Sequence, residues 1–127
     1  NKLNPSKAHW VMARLAEKDK DSISAEREYR AALEGSHGSA DGWLDLAIFY
    51  RRARRLDNME EAVNHVLTAP RNRQDVLVDA AETLIRAGRN FPLAVQLLRR
   101  YLAEGTVEEA PAFKAYYLLD CIHSGTH

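Results

Sequence analysis

Ala13, Ala47 and Ala81 are separated by 34 residues and then by 34 again. A fixed period of this length constrains the fold more than any local propensity does. It means one supersecondary unit built several times, each copy burying its apolar face only by stacking on the next. Flanking columns keep the same register: His9, Trp43 and Leu77; Met12, Leu46 and Ala80; Ala16, Tyr50 and Leu84. A second set runs Ala25, Ala62, Ala94, then Tyr29, Val66, Leu98, then Ala32, Ala69, Tyr101, at spacings of 37 and 32. Alanine recurs where two helices must approach closely, and larger residues fill the gaps beside it.

Within each unit the apolar spacing is helical. Val11 with Leu15, then Ala25, Tyr29, Ala32 and Leu33, then Trp43, Leu46, Ala47 and Tyr50 follow i, i+3, i+4, and no stretch alternates at period two. Proline at 5, 70, 92 and 111 and glycine at 35, 38, 42, 88, 105 and 125 divide the chain into segments of helical length. Asp57 with Glu60 and Thr106 with Glu109 have capping-box spacing, and Asn90 precedes Pro92 at a first turn. These signals predict helices over 7–18, 22–34, 40–54, 58–68, 73–87, 91–103 and 108–122. The expected organisation is a single domain, 1–127, with repeats at 6–39, 40–73 and 74–107 and a terminal half repeat at 108–122 whose alignment is open between Phe113 and two residues earlier.

The unit reads large-x-x-large-small-x-x-large in its first helix and Ala-x-x-x-large-x-x-Ala in its second. That pattern resembles the tetratricopeptide repeat. Trp43, Leu46, Ala47, Tyr50, Ala62 and Ala69-Pro70 carry the likeness best, and the segment AEREYRAALE from Ala25 is also typical. His9 departs from it by standing where the family favours an aromatic, and about three extra residues lie near Asp57–Met59. The resemblance implies an all-α, right-handed α-solenoid of about three helix-turn-helix repeats plus a C-terminal capping helix, about seven helices in all. Leu3-Asn4-Pro5 resembles the phrase joining one repeat to the next, which implies a chain continuing upstream.

In this family the first helix of each repeat lines a concave groove that holds an extended peptide or a helix of another protein. Carried over residue by residue, the groove positions are Trp10, Arg14 and Lys18, then Leu44, Asp45, Ile48 and Arg51, then Val78, Glu82 and Arg86. The Lys/Asn/Arg clamp by which some members hold a C-terminal carboxylate has no counterpart, since Trp10, Arg14, Asp45, Asp75 and Asp79 occupy those positions. What remains is an expected apolar floor of Trp10, Leu44, Ile48, Val78 and Ile85 edged by charges of both signs. The competing expectation is that the repeat's own packing covers these side chains.

Eighteen basic residues balance eighteen acidic ones, so no net field attracts nucleic acid or an anionic membrane. Aspartates at 41, 45, 75 and 79 and Glu82 also oppose an RNA-binding groove. No apolar run approaches the roughly 20 residues of a membrane span. The lone Cys121 suits a small buried hydrophobe in a reducing, cytoplasmic setting. Arg51-Arg52-Ala53-Arg54-Arg55 reads first as a solvated helix end complementing the dipole, with Glu60-Glu61 nearby, and second as a phosphate or acidic-peptide contact. His9 and His65 fit neither zinc nor nucleophile templates, and no phosphate loop or nucleophile elbow occurs. The expectation is therefore a noncatalytic adaptor with no cofactor or metal, whose partner is another protein. A homodimer joined through the solenoid ends and an accessory segment of a larger protein are the alternatives.

Overall fold

The computed structural model of the chain describes residues 5–104 and 109–124. Among them are seven α-helices and no strand: α1 Pro5–Lys18, α2 Ser22–Gly35, α3 Ala40–Arg52, α4 Leu56–Val66, α5 Val76–Ala87, α6 Phe91–Ala103 and α7 Glu109–Ser124. Each of α1, α3 and α5 packs most extensively on the even helix that follows it. Neighbouring hairpins then meet through α2–α3, α4–α5 and α6–α7, and odd helices meet directly in α3–α5 and α5–α7. The result is an all-helical repeat stack.

The alanine columns are what let these helices close on one another. Ala13, Ala47 and Ala81 are fully buried, as are Ala25 and Ala94, with Ala62 nearly so. Ala115 continues the first column at the same 34-residue interval and is also fully buried, while Leu118 continues the column of Tyr50 and Leu84. The terminal segment is thus aligned on Pro111 rather than Phe113. Position also explains exposure within a column. Leu46 and Ala80 are covered by the preceding hairpin, whereas Met12 lies on the end of the stack and is 53% exposed.

His9 does by polar contact what Trp43 does by stacking. Its Nδ1 lies 2.6 Å from Glu28, joining α1 to α2, while the Trp43 ring stacks on His65 at 4.0 Å, joining α3 to α4. Tyr29 and Phe49 add an aromatic contact of 5.3 Å across α2 and α3. Gly42 sits at the same crossing. A Cβ there would lie 2.8 Å from Leu33 Cδ1 and 3.3 Å from Leu33 Cα, so a larger residue would have to displace the Leu33 side chain for α3 to start this close to α2.

Several boundaries differ from the sequence expectation. Helix α3 stops at Arg52 rather than residue 54, because Arg54 turns into the left-handed region at φ 64°. Helix α4 then starts at Leu56, so Asp57 lies inside its first turn. The N-cap is Arg55 without a side-chain bond, and Asp57 and Glu60 pair with Arg89 instead of forming a capping box. The three extra residues make an added first turn: Ala62 is the seventh residue of α4, whereas Ala25 and Ala94 are the fourth of theirs. Helix α4 ends at Val66, leaving Ala69 outside it, and α5 begins at Val76 rather than 73. Pro70 has no N–H to continue a helix, and its carbonyl accepts from Ala40 N–H at 2.9 Å. Asn90 caps α6 as expected, accepting from Leu93 N–H; Asp21 and Ser39 cap α2 and α3 in the same way. Thr106 lies outside the described residues.

Candidate functional site

A row of open clefts runs across the odd helices. The first, about 710 Å³, lies between the N-terminal halves of α1 and α3 over the end of α2. Lys7 and Trp10 wall it on one side and Asp41 and Asp45 on the other. Trp10 hydrogen-bonds to the Asp45 carboxylate across the gap, and the Arg14 guanidinium lies 5.6 Å from the Trp10 ring centre, within cation–π range. Burial pushes the Asp45 carboxyl up to about 6, with the Asp41 charge adding to the effect, while Arg73, Arg14 and the bond from Trp10 oppose it. Arg73 gathers the acidic starts of α3 and α5, reaching Asp41 at 3.0 Å, Asp75 at 2.9 Å and Asp79 at 3.3 Å.

At the C-terminal ends of the same helices the sign reverses. A cleft of about 540 Å³ between α1 and α3 is lined by Arg14, Leu15, Glu17, Lys18 and Arg52. The next, about 330 Å³ between α3 and α5, shares Arg52 and adds Arg51, Arg54 and Arg86. A third, about 380 Å³ between α5 and α7, shares Arg86 and ends on Ile85, Tyr117 and Leu118. Glu17 accepts from two guanidinium nitrogens of Arg52, Nε at 2.6 Å and Nη2 at 2.8 Å, and from the Tyr29 hydroxyl at 2.9 Å. Burial works against its ionisation, but these donors outweigh burial and hold the carboxyl below its ordinary value. Glu82 likewise faces burial and is held down by Lys114 at 2.7 Å and Arg86 at 3.3 Å. Arg51 is relieved less. Its Nε is buried without a hydrogen-bond partner among the described residues, and burial together with the charges of Arg86 and Arg52 pushes its pKa down against the opposing charge of Glu82.

Nine of the ten groove positions therefore fall into three groups, and Ile48 stands apart from them. Trp10 and Asp45 line the first cleft, and Arg14, which lines the second, lies over the Trp10 ring. Lys18, Arg51, Glu82 and Arg86 line the basic end. Leu44 and Val78, like Ile85, are core: they are 4%, 1% and 6% exposed. The expected apolar floor is thus corrected for these residues, because α3 packs directly on α5 and the side chains between them are consumed by that contact. Ile48 and Trp10 remain half-buried.

Sequence reasoning missed Arg73, Tyr117 and Lys114. Arg73 had a signal, an arginine at the start of an expected helix and close to aspartates; Tyr117 and Lys114 depended on the alignment of α7. The arginine run also finds other acids than the adjacent Glu60-Glu61: Arg52 pairs with Glu17, and Arg55 with Glu26 at 2.7 Å. Among the described residues no three His, Cys, Asp or Glu side chains converge where a metal could be held, and no helix is long and apolar enough to cross a membrane. No protein-family model matches the chain, and no curated protein matches it either.

Proposed function

We propose that this chain is a noncatalytic protein-interaction domain of tetratricopeptide type, docking an extended peptide or a helix of a partner protein along its odd helices. The observation that carries this reading is the set of open clefts between successive odd helices, with Trp10 half-buried in the first, Ile48 half-buried on α3, and charges of both signs around them. A repeat stack presents such a face rigidly, so a partner meets positions already fixed by the core beneath.

The test compares partners captured from native lysate by the intact domain and by Trp10→Ala/Ile48→Ser, with unchanged helicity verified by circular dichroism. Leu44 and Val78 are unsuitable probes, since altering them would open the core. Partners lost only from the variant support docking on this face; the same partners on both forms would move the site elsewhere.

Self-association is a second reading with its own observation. Val11, Met12 and Leu15 on α1 are 40%, 53% and 53% exposed, and Phe113, Tyr116 and Tyr117 on α7 are 70%, 61% and 66% exposed. Apolar surface of this kind at both ends of a stack suits pairing of two copies. A single monomeric mass at all concentrations by light scattering would exclude it.

A further inference from the structure

Six basic side chains, Arg14, Lys18, Arg51, Arg52, Arg54 and Arg86, line two clefts that meet at Arg52, and among the described residues Glu17 and Glu82 are the carboxylates paired with them there. The C-terminal ends of α1, α3 and α5 attract cations through their dipoles, but each end amounts to about half a charge, which a single basic residue complements. The end of α3 alone carries Arg51, Arg52 and, just beyond it, Arg54. Arg52 is occupied by Glu17 in a two-pronged pair. Arg51 shares a cleft with Arg52 and Arg86 and feels the Glu82 charge, but its Nε is removed from water and given no acceptor among the described residues. A guanidinium is the side chain best shaped to bind a carboxylate through two parallel N–H donors.

We infer that this basic edge is the seat of an acidic polypeptide segment, laid from the α1–α3 cleft across Arg51 and Arg52 to Arg86. The inference rests on the proposed docking of a polypeptide along the odd helices and names that polypeptide's chemistry. A peptide is favoured over a nucleic acid by the other edge of the same face. There Asp41, Asp75 and Asp79 share Arg73, and with Asp45 beside them they would repel a phosphate backbone wide enough to cover both edges. An extended peptide is narrow enough to follow one edge, and its side chains alternate toward and away from the surface, offering carboxylates at intervals.

The test is fluorescence anisotropy with a labelled peptide of alternating Asp and Gly residues, alongside the same peptide with Asn for Asp. The acidic peptide should bind and the neutral one should not, and binding should weaken as salt rises from about 0.05 to 0.5 M, as for solvent-facing charges. Arg51→Glu/Arg86→Glu should weaken it at least about tenfold, and Arg27→Glu/Arg99→Glu, exposed positions on α2 and α6, should not. Should the reversal disturb the helices, Arg51→Gln/Arg86→Gln with verified helicity decides, with a smaller loss expected. No binding of the acidic peptide, binding unaffected by the arginine variants, or equal binding of single-stranded DNA of matched charge would overturn the inference. If it falls while Trp10→Ala/Ile48→Ser still loses captured partners, docking on the odd helices stands and only the acidic partner is wrong.

Discussion

Replacing Asp45 by asparagine isolates a charge that the fold holds at a cost. Burial, with Asp41 beside it, moves the Asp45 carboxyl from 3.8 to about 6. A folded-state pKa above the unfolded value means that the folded chain binds more protons between those two limits. Stability contributed by this group therefore falls as pH rises from about 4 to about 6, then stays level. A shift of about two units corresponds to roughly 3 kcal/mol at 1.36 kcal/mol per unit. Asp45 lines an open cleft, so solvent screening reduces this to about 1–2 kcal/mol. The asparagine amide keeps an oxygen for the Trp10 N–H and removes the charge. Near neutral pH, Asp45→Asn should thus stabilise the domain by about 1–2 kcal/mol, a rise in melting temperature of roughly 3–8 °C for a chain of this size.

The assay is urea unfolding of both forms across pH 4 to 8, read as the difference between them. The difference matters because Glu17, Glu26 and Glu82 have lowered pKa values, whose stabilisation fades as pH falls and gives the parent the opposite slope. The variant's advantage should grow from pH 4 to 6 and then plateau. An Asp45→Asn domain less stable than the parent at neutral pH, or a difference independent of pH, would refute the burial argument.

Three further outcomes follow from the packing. Ala47→Leu or Ala81→Leu should each destabilise by about 1–3 kcal/mol in denaturant unfolding, since both sites are fully buried where paired helices meet; unchanged melting would undo the register. Gly88→Ala should lower stability by about 1 kcal/mol, because Gly88 ends α5 at φ 68° with open space around it, so the cost is backbone strain alone. Arg71→Ala should cost about 1–2 kcal/mol: its guanidinium, 11% exposed, bonds to the Leu67 carbonyl and to Glu104 at 3.2 Å each, tying the end of α4 to the end of α6.

The repeat was legible because small residues at helix crossings admit no substitute, and a 34-residue recurrence of Ala13, Ala47 and Ala81 reports those crossings directly. Helix ends were less legible where they depend on a neighbouring element. The start of α4 rests on no side-chain cap, and Pro70 bonds through its carbonyl to α3, a contact no local pattern announces. The charges around the candidate site were legible as positions on the odd helices, and its expected floor was not. Arg14, Asp45, Glu82 and Arg86 fall on the odd-helix face at the expected spacing. Leu44 and Val78 carry the same spacing but are claimed by the α3–α5 contact, because helical periodicity marks an apolar face without saying whether a neighbour or a ligand covers it. His9 and Glu28 show the converse, a polar pair holding a position that aromatic residues also fill.

The central claim is that a partner polypeptide lies along the odd helices. Hydrogen exchange of the domain with and without a partner captured from lysate tests it most directly. The account predicts added protection confined to α1, α3 and α5, strongest in peptides containing Trp10 to Lys18 and Ile48 to Arg52. Protection concentrated on α2, α4 and α6, with the odd helices unchanged, would contradict it.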